Sequence, residues 1–301
     1  MAERERAAIL TELTPAYTIV EPVVQTVPFV FCSPHSGRQY PSPLTRATRL
    51  DPLSLRRSED CYVDELLAGV GALGAPMIAA RFPRAYLDVN REAFELDPAL
   101  FTEPMPDFAN TTSLRVVGGL GTIPRIVADG EDIYRESPTL AAAMVRIELL
   151  YRPFHAALSD LVERTRRRFG QAVLVDCHSM PSTPAGGEPG GGQRPDFVIG
   201  DRFGSSCDGR VTRALRQALG ARSANVQLNR PYAGGFITEH YGQPYRGVHA
   251  IQLEINRGLY LDEQTLERAS GFGALAVGLG DAFARMILDI ARDLAPAAAA
   301  E

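Results

Sequence analysis

Two stretches decide the fold: AVLVDCHS at residues 172–179 and VHAIQLEIN at residues 248–256. Each is too short for a typical helix and too apolar for a loop, which fits a buried strand. Along a strand, side chains alternate between faces. Asp176 and His178 therefore share one face, while Val173, Val175 and Cys177 share the other. In the second stretch Ile251, Leu253 and Ile255 lie on one face and Gln252, Glu254 and Asn256 on the opposite one. Three polar side chains on one face of a buried strand are costly unless that face lines a site.

Working outward, similar runs occur at 27–33 (VPFVFCS), 76–82 (PMIAARF), 85–90 (AYLDVN) and 196–201 (DFVIGD). Helical periodicity marks 57–72, 138–169, 208–219 and 262–294. Strands alternating with helices predict an α/β protein, a sandwich with a mixed or mainly parallel sheet. The expected organisation is one domain over 1–301, with its core at about 25–290 and flexible ends. Ligands in such sheets bind beyond the carboxyl ends of the strands. Two irregular segments, 92–124 and 181–195, are candidate active-site loops. The second, PSTPAGGEPGGGQRP, lacks the GK[ST] ending of a phosphate loop and is either a lid or a plain connection.

The chain has 301 residues, 45% of them hydrophobic, and a net charge of −5. No basic excess exists to neutralise phosphates, so neither nucleic acid nor an anionic membrane is an expected partner. A small anionic substrate needs only a few local arginines and is compatible with that charge. Four cysteines (Cys32, Cys61, Cys177, Cys207) form no CxxC pair. With a charged N-terminus and no long apolar run, they point to a reducing, cytoplasmic setting. Composition leaves the oligomeric state open.

The chemistry-bearing residues sit at the ends of the strand runs. His178 ends one, and His35, in FCSPHSG, follows another. Two histidines at the ends of two strands suggest a divalent metal, for which a third ligand is wanted. RRSEDCYVDELL supplies Glu59, Asp60, Asp64 and Glu65, although acids in a first helical turn also serve capping and the helix dipole. Glu254 is the candidate general base. Arg91, after Asp88 and Asn90, is placed to grip a carboxylate or to form an ordinary salt bridge. The Gly-Gly turn of NRPYAGG would let backbone amides approach a ligand. His155, His240 and His249 are expected to be structural or to support residues of the site. Cys177, on the Val173 face, is expected to be core packing and not a nucleophile. HExxH, GxSxG and GxGxxG motifs are absent, so spacing alone reaches only a mononuclear metal hydrolase.

The segments SPHSG, SEDCYVDEL, LDVNRE, VLVDCHSMPS, DFVIGDRFG, NRPYAGGFIT and HAIQLEINRGLYLDE, in this order, resemble the N-formylglutamate amidohydrolase family over about residues 25–290. The resemblance implies a three-layer α/β/α sandwich with a mixed, mostly parallel sheet, akin to the zinc exopeptidases. It implies hydrolysis of N-formyl-L-glutamate to formate and glutamate, a step of histidine degradation. His35, Asp60 and His178 would hold one divalent metal, expected to be zinc, with Glu59 the neighbouring alternative to Asp60. Glu254 would be the base and Arg125 an oxyanion partner. Asn90 and Arg91, with Arg230 or Arg246, would hold the substrate carboxylates. Rival readings are an amidase for another N-acyl acidic amino acid, or a non-catalytic binder of an acidic metabolite.

Overall fold

A computed structural model describes residues 2–127, 130–183, 195–221 and 224–294. Seven strands form one sheet: β1 (Tyr17–Val20), β2 (Phe29–Ser33), β3 (Met77–Ala80), β4 (Ala172–Met180), β5 (Phe197–Gly200), β6 (Val226–Leu228) and β7 (Val248–Asn256). Their order is β1-β3-β2-β4-β7-β5-β6. The β3–β2–β4–β7 centre is parallel, whereas β1 on β3 and β5 on β7 are antiparallel. The sheet is thus mixed and mostly parallel, as expected.

The described helices are α1 (Ala2–Glu12), α2 (Ser42–Ala47), α3 (Pro52–Arg56), α4 (Val63–Leu66), α5 (Leu114–Val117), α6 (Leu140–Arg146), α7 (Arg152–Phe169), α8 (Gly209–Gly220), α9 (Phe236–Tyr241) and α10 (Phe272–Leu294). They cover both faces of the sheet and make three layers. Strand alternation sorts the core between them. Val30, Cys32, Leu174 and Ala250 pack with Ile9, Phe154 and Leu158 on one side. Phe29, Phe31, Val173, Val175, Cys177 and Leu253 pack with Leu215, Phe283 and Met286 on the other. Cys177 is therefore core, as its parity predicts, and burial pushes its thiol well above the ordinary range.

Four expectations change. AYLDVN is not a strand but a chain of turns: Asp88 N–H donates to the Thr122 carbonyl (2.9 Å), and Tyr86 N–H to that of Pro83 (2.9 Å). Tyr86, Leu87 and Val89 all enter one apolar cluster, so they do not alternate. The helix expected over 57–72 shrinks to α4 and a 3₁₀ turn at Ala68–Leu73, because Tyr62 adopts φ 61°. The helix expected over 262–294 starts only at Phe272. Instead of a flexible N-terminal end, α1 packs on α6, with Ile9 and Leu13 buried. Residues 184–194 of the candidate lid fall outside the described residues.

Candidate active site

β2 and β4 run side by side in parallel, so the chain leaving both emerges at one edge of the sheet. His35 follows β2 in a turn that Ser33 helps close, its Oγ 2.8 Å from Ser36 Oγ. Gly37 is required here by crowding, not by φ. A Cβ on it would lie 2.1 Å from the Phe82 carbonyl oxygen. Asp60 follows α3, whose start is set by Pro52 at the first helical position and by Asp51 capping Leu53 and Ser54. Asp60 N–H then donates to the His35 carbonyl (3.0 Å), tying the two loops together. His178 projects from β4 itself. The β4–β7 register sets Glu254 beside His178 and Gln252 beside Asp176.

Three donor atoms converge in this buried corner. Asp60 Oδ2 lies 3.1 Å from His178 Nδ1 and 3.3 Å from His35 Nδ1. The two Nδ1 atoms are 3.2 Å apart. Each ring's other nitrogen faces a carboxylate: His35 Nε2 is 2.8 Å from Asp88 Oδ1, and His178 Nε2 is 2.9 Å from Asp176 Oδ2. The Asp88 hydrogen bond fixes the His35 proton on Nε2, and the Asp176 charge beside His178 Nε2, although not hydrogen-bonded to it, favours the same tautomer, so both Nδ1 lone pairs face inward. Two such lone pairs and a carboxylate oxygen cannot satisfy one another. A cation satisfies all three, so the donor set fits a metal, and His35, Asp60 and His178 form a group that could hold one. Burial disfavours the His178 imidazolium, but Asp176 and Asp60 outweigh it and hold its pKa well above the usual value. Burial likewise opposes the Asp60 carboxylate, and the two histidines override it and pull its pKa well down.

The choice between neighbouring acids is decided by partners. Glu59 is buried but turned away, taken by Arg56 (3.2 Å) and by the Tyr40 hydroxyl. Glu254 Oε1 accepts from Gln252 Nε2 (2.8 Å). Burial, against the nearby His178, pushes its pKa up to about 7. Asn90 reaches the site from the turns after β3. Its Oδ1 accepts from Ile237 N–H at the start of α9 (2.7 Å), and its Nδ2 lies 3.2 Å from His178 Nε2. Arg91 is also buried, its Nε and Nη1 spent on the carbonyls of Leu120 (2.8 Å) and Asn90 (2.7 Å), with Nη2 3.4 Å from Asp88.

Two of the remaining arginines are paired away from the cluster. Arg125 pairs with Asp97 and Asp132, each at 2.9 Å. Arg246 donates to Gln243 (2.9 Å) just before β7 begins. Glu254 lies near the other end of that strand, roughly 20 Å from its first residue at the usual rise per residue. Arg230 is exposed in the chain leading to Gly235. Two residues with no sequence-assigned role are at the centre, Asp88 and Arg257. Asp88 holds His35 and takes Arg84 Nε (2.9 Å) on its other oxygen. Arg257 reaches Asp60 Oδ1 (3.2 Å). Asp88 shares a short motif with Asn90, and Arg257 adjoins Asn256 of the polar face. Those were the available signals, and neither told which partner each side chain meets.

The family model for N-formylglutamate amidohydrolase matches residues 27–261. The chain belongs to the N-formylglutamate amidohydrolase family. It is 30% identical to the N-formylglutamate deformylase of Pseudomonas aeruginosa over 241 residues, 79% of this chain and 84% of that one. Identity is also 30% to the Pseudomonas putida protein of the same name, over 79% of this chain and 83% of that one. The crystal structure of an N-formylglutamate amidohydrolase from Ralstonia eutropha JMP134 superposes with TM-score 0.86 and 33% identity, covering 93% of this chain and 99% of that chain. The family match spans His35, Asp60, Asp88, His178, Glu254 and Arg257 alike.

Proposed function

We propose that this chain is a metal-dependent amidohydrolase that cleaves the N-formyl amide of N-formyl-L-glutamate to formate and glutamate, as in histidine degradation. The observation that carries the reading is the convergence of His35 Nδ1, Asp60 Oδ2 and His178 Nδ1 beside Glu254. These three atoms would hold one divalent ion, and nitrogen-oxygen donor sets of this kind favour zinc. When bound, the ion supplies Lewis acidity, polarising the formyl carbonyl and making a water more acidic.

Glu254 takes the proton of the attacking water and returns it to the departing amine nitrogen. A base must hold its proton weakly enough to pass it on, and a pKa of about 7 meets that demand. Asp88 and Asp176 keep both imidazoles oriented with Nδ1 inward. Asn90 and Arg91 orient the substrate side of the cleft, with Arg230 the exposed cation available to a substrate carboxylate. Arg125 and Arg246 are given no role in this reading, because Arg125 is paired with Asp97 and Asp132 and Arg246 with Gln243. The four buried free cysteines support a cytoplasmic location. The net charge of −5 argues against nucleic-acid partners. No described helix is long and apolar enough to cross a membrane.

The test is bound-metal analysis together with formate or acetate release from N-formyl-L-glutamate, N-formyl-L-aspartate and N-acetyl-L-glutamate. N-formyl-L-glutamate is expected to be the best substrate, with loss of turnover after chelation and recovery with zinc. A chain that binds no metal and ignores chelators ends the metal reading. A clear preference for another acyl amino acid transfers the same chemistry to that substrate.

A further inference from the structure

We propose that Arg257 is a positioning residue that makes Asp60 a one-oxygen ligand, and so sets the metal affinity and coordination number of the centre. This rests on the metal-dependent reading above. The local cause is at the end of β7. Asn256 Oδ1 accepts from Gly258 N–H (3.0 Å) and starts a tight turn at Arg257–Leu259. That turn brings the Arg257 side chain against the loop carrying Asp60.

The guanidinium is then held at four points. Nε donates to Ser179 Oγ (3.0 Å), Nη1 to the Arg57 carbonyl (3.2 Å), and Nη2 to the Glu59 carbonyl (2.7 Å) and Asp60 Oδ1 (3.2 Å). Rotating away would leave buried donors and acceptors unpaired, which is costly. Ser179, next to His178, in turn donates its hydroxyl to Asp60 Oδ1 (3.0 Å). Oδ1 thus carries two donors, one of them charged. Oδ2 faces only the two imidazole nitrogens. A carboxylate with one oxygen saturated offers the other alone. Two imidazoles and one carboxylate oxygen leave a fourth position open, as a catalytic zinc needs. The same arginine links the Asp60 loop to β4, so one side chain sets the spacing of two ligand-bearing segments.

The experiment measures zinc affinity by chelator competition and the visible spectrum of the Co²⁺-loaded protein. Arg257→Lys keeps the buried charge but cannot span four acceptors, and Arg257→Gln removes the charge. Zinc affinity is expected to fall about 10- to 100-fold in the glutamine variant, and by less in the lysine variant. The cobalt bands should weaken in both as Asp60 becomes free to ligate through two oxygens. In an Asp60→Ala background, Arg257→Lys should change zinc affinity no further, because the group it positions is gone. Wild-type zinc affinity and an unchanged cobalt spectrum in Arg257→Lys overturn the inference, whether or not the glutamine variant folds. A wild-type chain that binds neither Zn²⁺ nor Co²⁺ sinks the metal reading instead.

Discussion

At Glu254 two effects compete, and burial wins. It pushes the carboxyl up to about 7, while His178 pulls the other way. The form that accepts a proton is the carboxylate. Below that pKa the ionised fraction falls about tenfold per pH unit, so kcat/KM should rise with pH to near 7 and then level off. Glu254→Gln keeps the size of the side chain and removes the base. Its turnover should drop by about 10²- to 10⁴-fold while zinc stays bound. A profile flat through that pH range, or a glutamine variant within a few-fold of wild type, would exclude Glu254 as the base. The strand parity of QLEIN made this residue legible in the sequence. The neighbouring acids Glu59 and Asp60 were not separable that way. Both are buried, and only the positions of Arg56, Tyr40 and Arg257 decide which of them faces the histidines.

Among the elements, the SPHSG turn shows how crowding, and not backbone conformation, can demand a glycine. Gly37 looks like a turn residue needed for a tight bend. Its requirement is instead the approach of the Phe82 backbone, where a Cβ would stand 2.1 Å from the carbonyl oxygen. Gly37→Ala must push the turn away from β3 and carry His35 with it. The expected cost is roughly 1–3 kcal/mol of stability, the range for forced overpacking, together with weaker zinc binding. Denaturant titration with zinc competition checks both, and an alanine variant with unchanged midpoint and affinity would show that the turn can move freely. Helical periodicity over 138–169 was legible, but not its interruption. A π turn at Ile147–Tyr151 separates α6 from α7, just before Pro153, which has no N–H to donate. The edge strands β1 and β6 were missed for another reason. They are short and only half buried, so they carry no apolar run.

For the whole molecule, α1 lies outside the stretch matched by the family model yet is anchored by a buried charge pair. Arg146 pairs with Glu5 and stacks 4.0 Å over the Tyr86 ring, while Tyr86 Oη donates to Glu5 Oε1 (2.6 Å). Removing one partner of a buried pair leaves the other charge uncompensated. Glu5→Ala should therefore cost about 3 kcal/mol or more, read as a lower urea midpoint at unchanged slope. An unchanged midpoint would mean that α1 is dispensable to the folded state. The sequence by itself determined the layered α/β plan, the side of each inner strand that faces apolar neighbours, and His35, His178 and Glu254 as candidate site residues. Those follow from alternation, apolar runs and motif order, all of which are local along the chain. Only the tertiary structure decided that Asp88 meets His35, that Asp60 and not Glu59 faces the histidines with Arg257 holding it, and that Arg125 and Arg246 are paired elsewhere. The Asp88–His35 and Arg257–Asp60 pairings join residues far apart in the chain, and an arginine's role is set by whichever acceptors the fold brings within hydrogen-bonding reach.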